Sequence, residues 1–428
     1  MRSWRIFGSI AALALASPAW PQATVPLPSR AEQNQSATEA VAKRYVAEAR
    51  VPGIVIVSGV GNAPPHVVAE GRIALEANAP AADADSLWRV YSMTKPITGI
   101  AAMILVEQGK LGLDQPISDF IPAFKDMKVL VDPTKDLTSR PATRAITVRN
   151  LLTHTAGLEY VLPGKSGPLI DEYTRLGINP AAINTLMEPN MRAARPKSLE
   201  EFADRLATLP LMAEPGSKWS YSIGLDLLGR VIEVAGGMPF DRFVQTRIFD
   251  PLKMRASYWT VPQDKARILA TNYLTPKLAI DTGAASVWLQ PPSFPYGGAG
   301  LVMSARDYDR FLHMLVNGGE LEGVRILKPA TVKLAMSDLL PASVDRSTLA
   351  NMTADSGVPM GFGAGGSVYL ADKPGGPGKG TYGWGGAAGT IGWADPVHKL
   401  RVTAMINSFS DKGLKREVGK AIYDDLAQ

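Results

Sequence analysis

Along this chain the spacing of apolar residues changes period several times, and each change predicts an element. Between residues 36 and 50, Val41, Tyr45, Val46 and Ala49 recur at helical spacing, and Pro52-Gly53 ends the run. Residues 53–60 and 66–70 then read as two strands joined by the turn-prone segment 61–65 (GNAPP). A second helix is predicted over 92–108, where Ile97, Ile100, Ala101 and Ile104 share a face and Gly109 caps the end. A third starts near Gly224, with Leu225, Leu228, Val231, Ile232 and Ala235 on its apolar side and Gly236-Gly237 as its stop. In 301–315 the Met and Leu residues fit a core stripe, with Arg306, Asp307 and Arg310 on the wet side. Segments 361–371, 382–394 and 399–407 are rich in glycine, β-branched and aromatic residues and read as neighbouring strands. Strands near both termini predict an α+β fold: an antiparallel sheet flanked by helices, built from 30–110 and 295–428, around a mainly helical insertion over 111–294. Within the insertion, the Pro/Gly-rich stretch 159–197 is a candidate flap.

Composition removes several chemistries. The 428 residues include no cysteine, so disulfides, thiol nucleophiles and cysteine-held metals are excluded. The 45 basic and 40 acidic residues give a formal charge of +5 with no long run of one sign, which offers nucleic acid no footprint. At the N-terminus, Arg2 and Arg5 precede an apolar stretch at 6–16 that is too short to span a bilayer, followed by Ser17 and Ala19. This predicts an export signal over 1–19 and a periplasmic or extracellular protein with charge 5 − 2 = +3 after cleavage. No second stretch has the length of a membrane span.

Ser92-Met93-Thr94-Lys95 is the sharpest candidate for chemistry. Three residues apart on a helix, the two side chains share a face, so the lysine nitrogen can reach the hydroxyl. A serine hydroxyl becomes a good nucleophile only when a neighbour accepts its proton, and the start of a helix favours a developing oxyanion. Tyr221 lies in a turn-rich segment just ahead of the third helix, where a phenol beside a cation can act as a general base. His154 lacks a G-x-S-x-G nucleophile elbow in the chain and reads as a loop-bonding residue. His66, His313 and His398 have no metal-binding spacing, so no metal is expected. Gly361 to Gly366 fits G-x-G-x-x-G, but a strand pattern follows it rather than a helix, which contradicts a dinucleotide site.

Together, Ser92-x-x-Lys95, Tyr221-Ser222, the phrase ITVRNLLTHTAGL at 146–158 and Trp384-Gly385-Gly386 resemble the β-lactamase-like, penicillin-recognising serine hydrolases. Within that superfamily the chain is most similar to the family VIII carboxylesterases, relatives of class C β-lactamases. The resemblance implies a sheet domain and a helical domain with the site between them. It makes Ser92 the acylated nucleophile and Lys95 with Tyr221 the acid–base pair. The Ser92 and Ala387 N–H groups would form the oxyanion hole, and Trp384, Gly385 and Gly386 would line the site in place of the K-T-G signature. Ile223 would line it too, where class C enzymes have the asparagine of Y-A-N. Trp384 and Ile223 replace a cation and an amide donor, so an uncharged ester is the expected substrate, because a buried carboxylate without a partner is costly. No cofactor is implied. The rival readings are a β-lactamase or D-alanyl-D-alanine peptidase, an acyltransferase, and a catalytically silent binding protein on the same scaffold.

Overall fold

The computed structural model describes residues 35–428, so the expected signal at 1–19 lies outside the described residues. Its main sheet has seven strands drawn from both ends of that span: β1 (Gly53–Val60), β2 (His66–Gly71), β3 (Met360–Phe362), β4 (Ser367–Tyr369), β5 (Tyr382–Gly386), β6 (Thr390–Asp395) and β7 (Leu400–Met405). They lie in the order β3-β4-β5-β6-β7-β1-β2, antiparallel throughout. The joint between the two ends is the β1–β7 pair, where Val55 faces Met405 and Val60 faces Leu400. Residues 361–371 and 382–394, each expected as one strand, are hairpins instead. Gly365 and Gly389 take φ of +80° in the connections, a conformation open to glycine at little cost.

Helices cover both faces. On the outer face, α1 (Ser36–Ala47) and the C-terminal helix pack Ala42, Tyr45, Val418 and Ile422 onto Ile54, Ile56, Val402 and Ala404. Strand alternation sends the other side chains of β1 and β7, such as Val55 and Met405, into the larger core. There they meet α2 (Thr94–Glu107), α3 (Gly224–Gly236) and α4 (Ala305–Val316). Every residue of α2 from Thr94 to Leu105 is buried, so this helix runs through the core rather than over it. A small sheet of Leu87–Arg89, Val302–Ser304 and Ser257–Tyr258 has its first strand just ahead of α2 in the chain. Among the described residues no helix is long and apolar enough to cross a membrane.

Segment 159–197 has structure of its own, with helices Pro168–Arg175 and Glu188–Ala194. Leu169 and Tyr173 enter the core, and buried Arg195 pins the far end by donating to Glu188 Oε1 at 2.7 Å, the Asn179 carbonyl at 2.8 Å and the Ala181 carbonyl.

Candidate active site

Ser92 sits in a 3-10 turn, Tyr91–Met93, immediately before α2. The preceding residue, Tyr91, has φ +42°, a conformation that costs a non-glycine residue about 1–3 kcal/mol unless its surroundings hold it. They do: Asn272 Nδ2 donates to its hydroxyl at 3.0 Å, and Trp288 and Phe409 pack edge-on at 5.9 and 5.5 Å. The following turn is tied to α4, where Tyr308 OH donates to the Met93 carbonyl at 3.1 Å.

Lys95, one helical turn on, is fully buried, whereas Ser92 and Tyr221 are half-buried. The Lys95 Nζ donates to Ser92 Oγ at 3.2 Å, Tyr160 OH at 3.2 Å and the Gly298 carbonyl at 2.7 Å. As an ammonium it has three N–H groups, and these oxygens match them. The Tyr221 hydroxyl donates to Ser92 Oγ at 2.6 Å, and the Lys95 nitrogen lies 4.7 Å from the Tyr221 ring centre. Ser92, Lys95 and Tyr221, picked out by motif, therefore meet at one oxygen.

His154 fixes where Tyr221 stands. Its carbonyl accepts from the Ser220 N–H at 2.9 Å and its Nδ1 from the Ser222 N–H at 3.2 Å, one residue on either side of Tyr221. Its ring lies 4.9 Å from that of Tyr221 and edge-on to Trp219 and Phe362. Burial, helped by the Lys95 charge, pushes its pKa well below the usual histidine value, so the ring is neutral. Accepting at Nδ1 puts the proton on Nε2, which is buried without an acceptor.

Trp384, on β5, donates its indole N–H to Tyr221 OH at 3.4 Å, with the rings 5.7 Å apart. It was expected as an apolar wall and also makes this polar contact. Gly385 and Gly386 follow it, half-buried, and a Cβ on Gly386 would collide with the Val90 carbonyl and Thr390 Oγ1. The strand thus reaches the nucleophile's turn backbone to backbone, and it leaves Ala387 exposed in the turn beyond. The expectation for Ile223 fails. Its side chain is fully buried in the main core at the start of α3 and has no surface to offer a substrate.

Behind Lys95 lies a part of the site that motif reading did not find. Asp226, fully buried on the first turn of α3, accepts from the Gly298 N–H at 2.8 Å and Tyr160 OH at 3.3 Å, and the Gly298 carbonyl and the Tyr160 hydroxyl oxygen in turn accept from Lys95. Among the described residues no carboxylate touches the lysine directly; Asp226 reaches it through Tyr160 on one side and Gly298 on the other. Burial lifts the Asp226 carboxyl from 3.8 to about 7, against the opposing pull of Lys95 and of its hydrogen-bond donors. Burial, with Asp226 next, also holds the Tyr160 phenol well above its usual range. Among the described residues, no group of histidines and carboxylates is arranged to hold a metal.

Comparison with known proteins agrees with this geometry. Residues 38–425 match the Beta-lactamase family. Esterase EstB of Burkholderia gladioli is 32% identical over 361 residues, covering 79% of this chain and 82% of that protein. Lovastatin esterase of Penicillium rubens is 32% identical over 328 residues, covering 72% and 76%. A solved structure described as "EstCE1, a hydrolase with promiscuous acyltransferase activity" superposes with TM-score 0.72 at 29% identity, covering 92% of this chain and all of that one. The chain belongs to the β-lactamase family of serine hydrolases, with esterases and acyltransferases among its relatives.

Proposed function

We infer that the protein cleaves carboxylic esters through an acyl-enzyme on Ser92. The observation that carries this reading is a single oxygen, Ser92 Oγ, held by Tyr221 OH and Lys95 Nζ beside the β5 backbone. In the reaction Ser92 Oγ attacks the ester carbonyl while its proton passes to the Tyr221–Lys95 pair, which enters the step one proton short, as phenolate beside ammonium or phenol beside amine. The oxyanion is held by the Ser92 and Ala387 N–H groups. The proton goes to the departing alcohol, and a water then repeats the sequence to release the acid. Trp384 donates to the Tyr221 oxygen, so that oxygen keeps a donor when it has given up its own proton. Trp384, Gly385 and Gly386 line the cleft, and segment 159–197 supplies the wall that sets acyl-chain preference. An indole in place of a cation favours an uncharged substrate. The small-molecule ester is met outside the cytoplasm, after removal of residues 1–19.

Labelling with a fluorophosphonate tests the nucleophile: one adduct on Ser92, absent from Ser92→Ala, is expected, and an adduct that survives the substitution overturns it. Rates on p-nitrophenyl butyrate and a chromogenic cephalosporin test the substrate class, and preference for the cephalosporin would replace esterase by β-lactamase. The acyltransferase relatives favour one further arm, in which added alcohol intercepts the acyl-enzyme and product analysis finds the transferred ester. Fractionation and N-terminal sequencing test export; protein starting near Trp20 in the exported fraction is expected.

A further inference from the structure

The C-terminal helix α5 (Leu414–Leu426) does not close completely on the sheet. A cavity of about 480 Å³ remains between it and the ends of β4, β5 and β6, mostly on the α5 side of the sheet, and Trp384 of the catalytic side also borders it. Strand register sets that orientation. Tyr382 goes into the catalytic-side core, so its neighbour Gly383 and the residue paired with it, Trp393, face α5.

Two features of the sequence hold this space open. Gly419 lies in the interior of α5, where glycine costs a helix about 1 kcal/mol relative to alanine. No close approach accounts for it, because a Cβ built there meets nothing within 4 Å. It borders the cavity. Opposite, Gly383 leaves the sheet without a side chain beneath it, so the floor is formed by Tyr369, Ile391 and Trp393.

The rim has a different character. Lys373, Lys415, Arg416 and Lys420 stand around it against two carboxylates, Asp355 and Asp424. Lys420 is paired with Asp424 at 2.5 Å. Among the described residues, Lys373, Lys415 and Arg416 have no carboxylate within ion-pair distance, Asp355 acts on Lys415 from further off, and Lys415 Nζ is 6.0 Å from the Tyr369 ring centre. An apolar, aromatic chamber with unpaired cations at its mouth is complementary to an anion with a hydrocarbon tail.

We propose that this cavity is a second, non-catalytic site that binds a medium-chain aliphatic carboxylate, its chain on Tyr369, Ile391 and Trp393 and its head among Lys373, Lys415 and Arg416. Isothermal titration of decanoate into the full-length chain tests it. Saturable binding is expected, about fourfold weaker for each methylene removed. Decanol should bind at least tenfold more weakly. Gly419→Leu, which fills the chamber while improving helix propensity, should abolish binding with the melting temperature unchanged or raised. Lys373→Gln with Lys415→Gln, both at the rim, should weaken it about tenfold and leave decanol unaffected. Because decanoate can also enter the catalytic cleft, these variants decide the location. Absence of binding, or affinity that neither Gly419→Leu nor the lysine pair changes, overturns the proposal; should Gly419→Leu fail to fold, the lysine pair decides alone.

Discussion

Lys95 and Arg401 are both fully buried cations, and the protein treats them in opposite ways. Arg401, on β7, donates to Asp309 at 2.9 Å and to the carbonyls of Gly61 and Ala63 at 2.8 and 2.9 Å, tying the β1–β2 turn to α4. Arg89 follows the same rule, with Asp281 in direct contact. Each of these arginines has a carboxylate against it, which offsets the cost of removing a charge from water and fixes the geometry. Lys95 has two hydroxyls and a carbonyl, and its countercharge is one residue further away. A carboxylate in contact would hold the proton on the lysine. Placing Asp226 behind Tyr160 and Gly298 leaves the nitrogen bonded to Ser92 Oγ instead of to a carboxylate.

The contrast can be broken from either end. Lys95→Met should lower kcat by about 10²–10⁴, the usual worth of a positioned acid–base group, with a smaller effect on folding. An equal loss from Arg401→Met would erase the distinction. Arg401→Met is expected instead to cost about 3–5 kcal/mol of stability in denaturant titration, because it strands buried Asp309, with near-normal turnover in the folded fraction. Asp226→Asn sharpens the comparison through pH. The folded carboxyl titrates near 7 and the unfolded one near 3.8, so the native state binds its proton more tightly and wild-type stability falls as pH rises between those values. The melting temperature of Asp226→Asn should therefore gain on wild type from pH 5 to 8, and kcat/KM should lose an ionisation near 7. Parallel curves would mean that Asp226 does not titrate in this range. Trp384→Phe keeps the ring and removes the donor to Tyr221; the smallest effect is expected here, a fall in kcat of about tenfold or less, consistent with one long neutral hydrogen bond.

What the sequence revealed depended on how local the signal was. Ser92 and Lys95 are neighbours on one helical face, and Tyr221 and Trp384 lie in short distinctive phrases, so these four were legible and the fold brings them together. Tyr160, Asp226 and Gly298 were not. Each is a lone residue whose role exists only where three distant segments meet, and Asp226 in the first turn of an apolar helix looks like an ordinary complement to the helix dipole. Asp307 misled for a related reason. Periodicity put it on the wet side of its helix, but it is buried, accepting from the Ala256 N–H at 2.6 Å and Ser257 Oγ at 2.8 Å. Ile223 was assigned by its place in a motif, yet the chain turns into α3 there and carries the side chain inward. Alternation and glycine content located the sheet strands but not the hairpin bends, which depend on single backbone angles at Gly365 and Gly389.

The meeting of Gly386 with the Val90 carbonyl limits how this protein can change over evolutionary time. Walls made of main chain present no side chain for mutation to exchange, and a larger residue at 386 would push the two segments apart. Under the proposed function, drift in substrate choice would accumulate at Trp384 and along 159–197 while the reacting centre stays the same. A library confined to those positions should yield altered specificities far more often than one of equal size directed at 385–387.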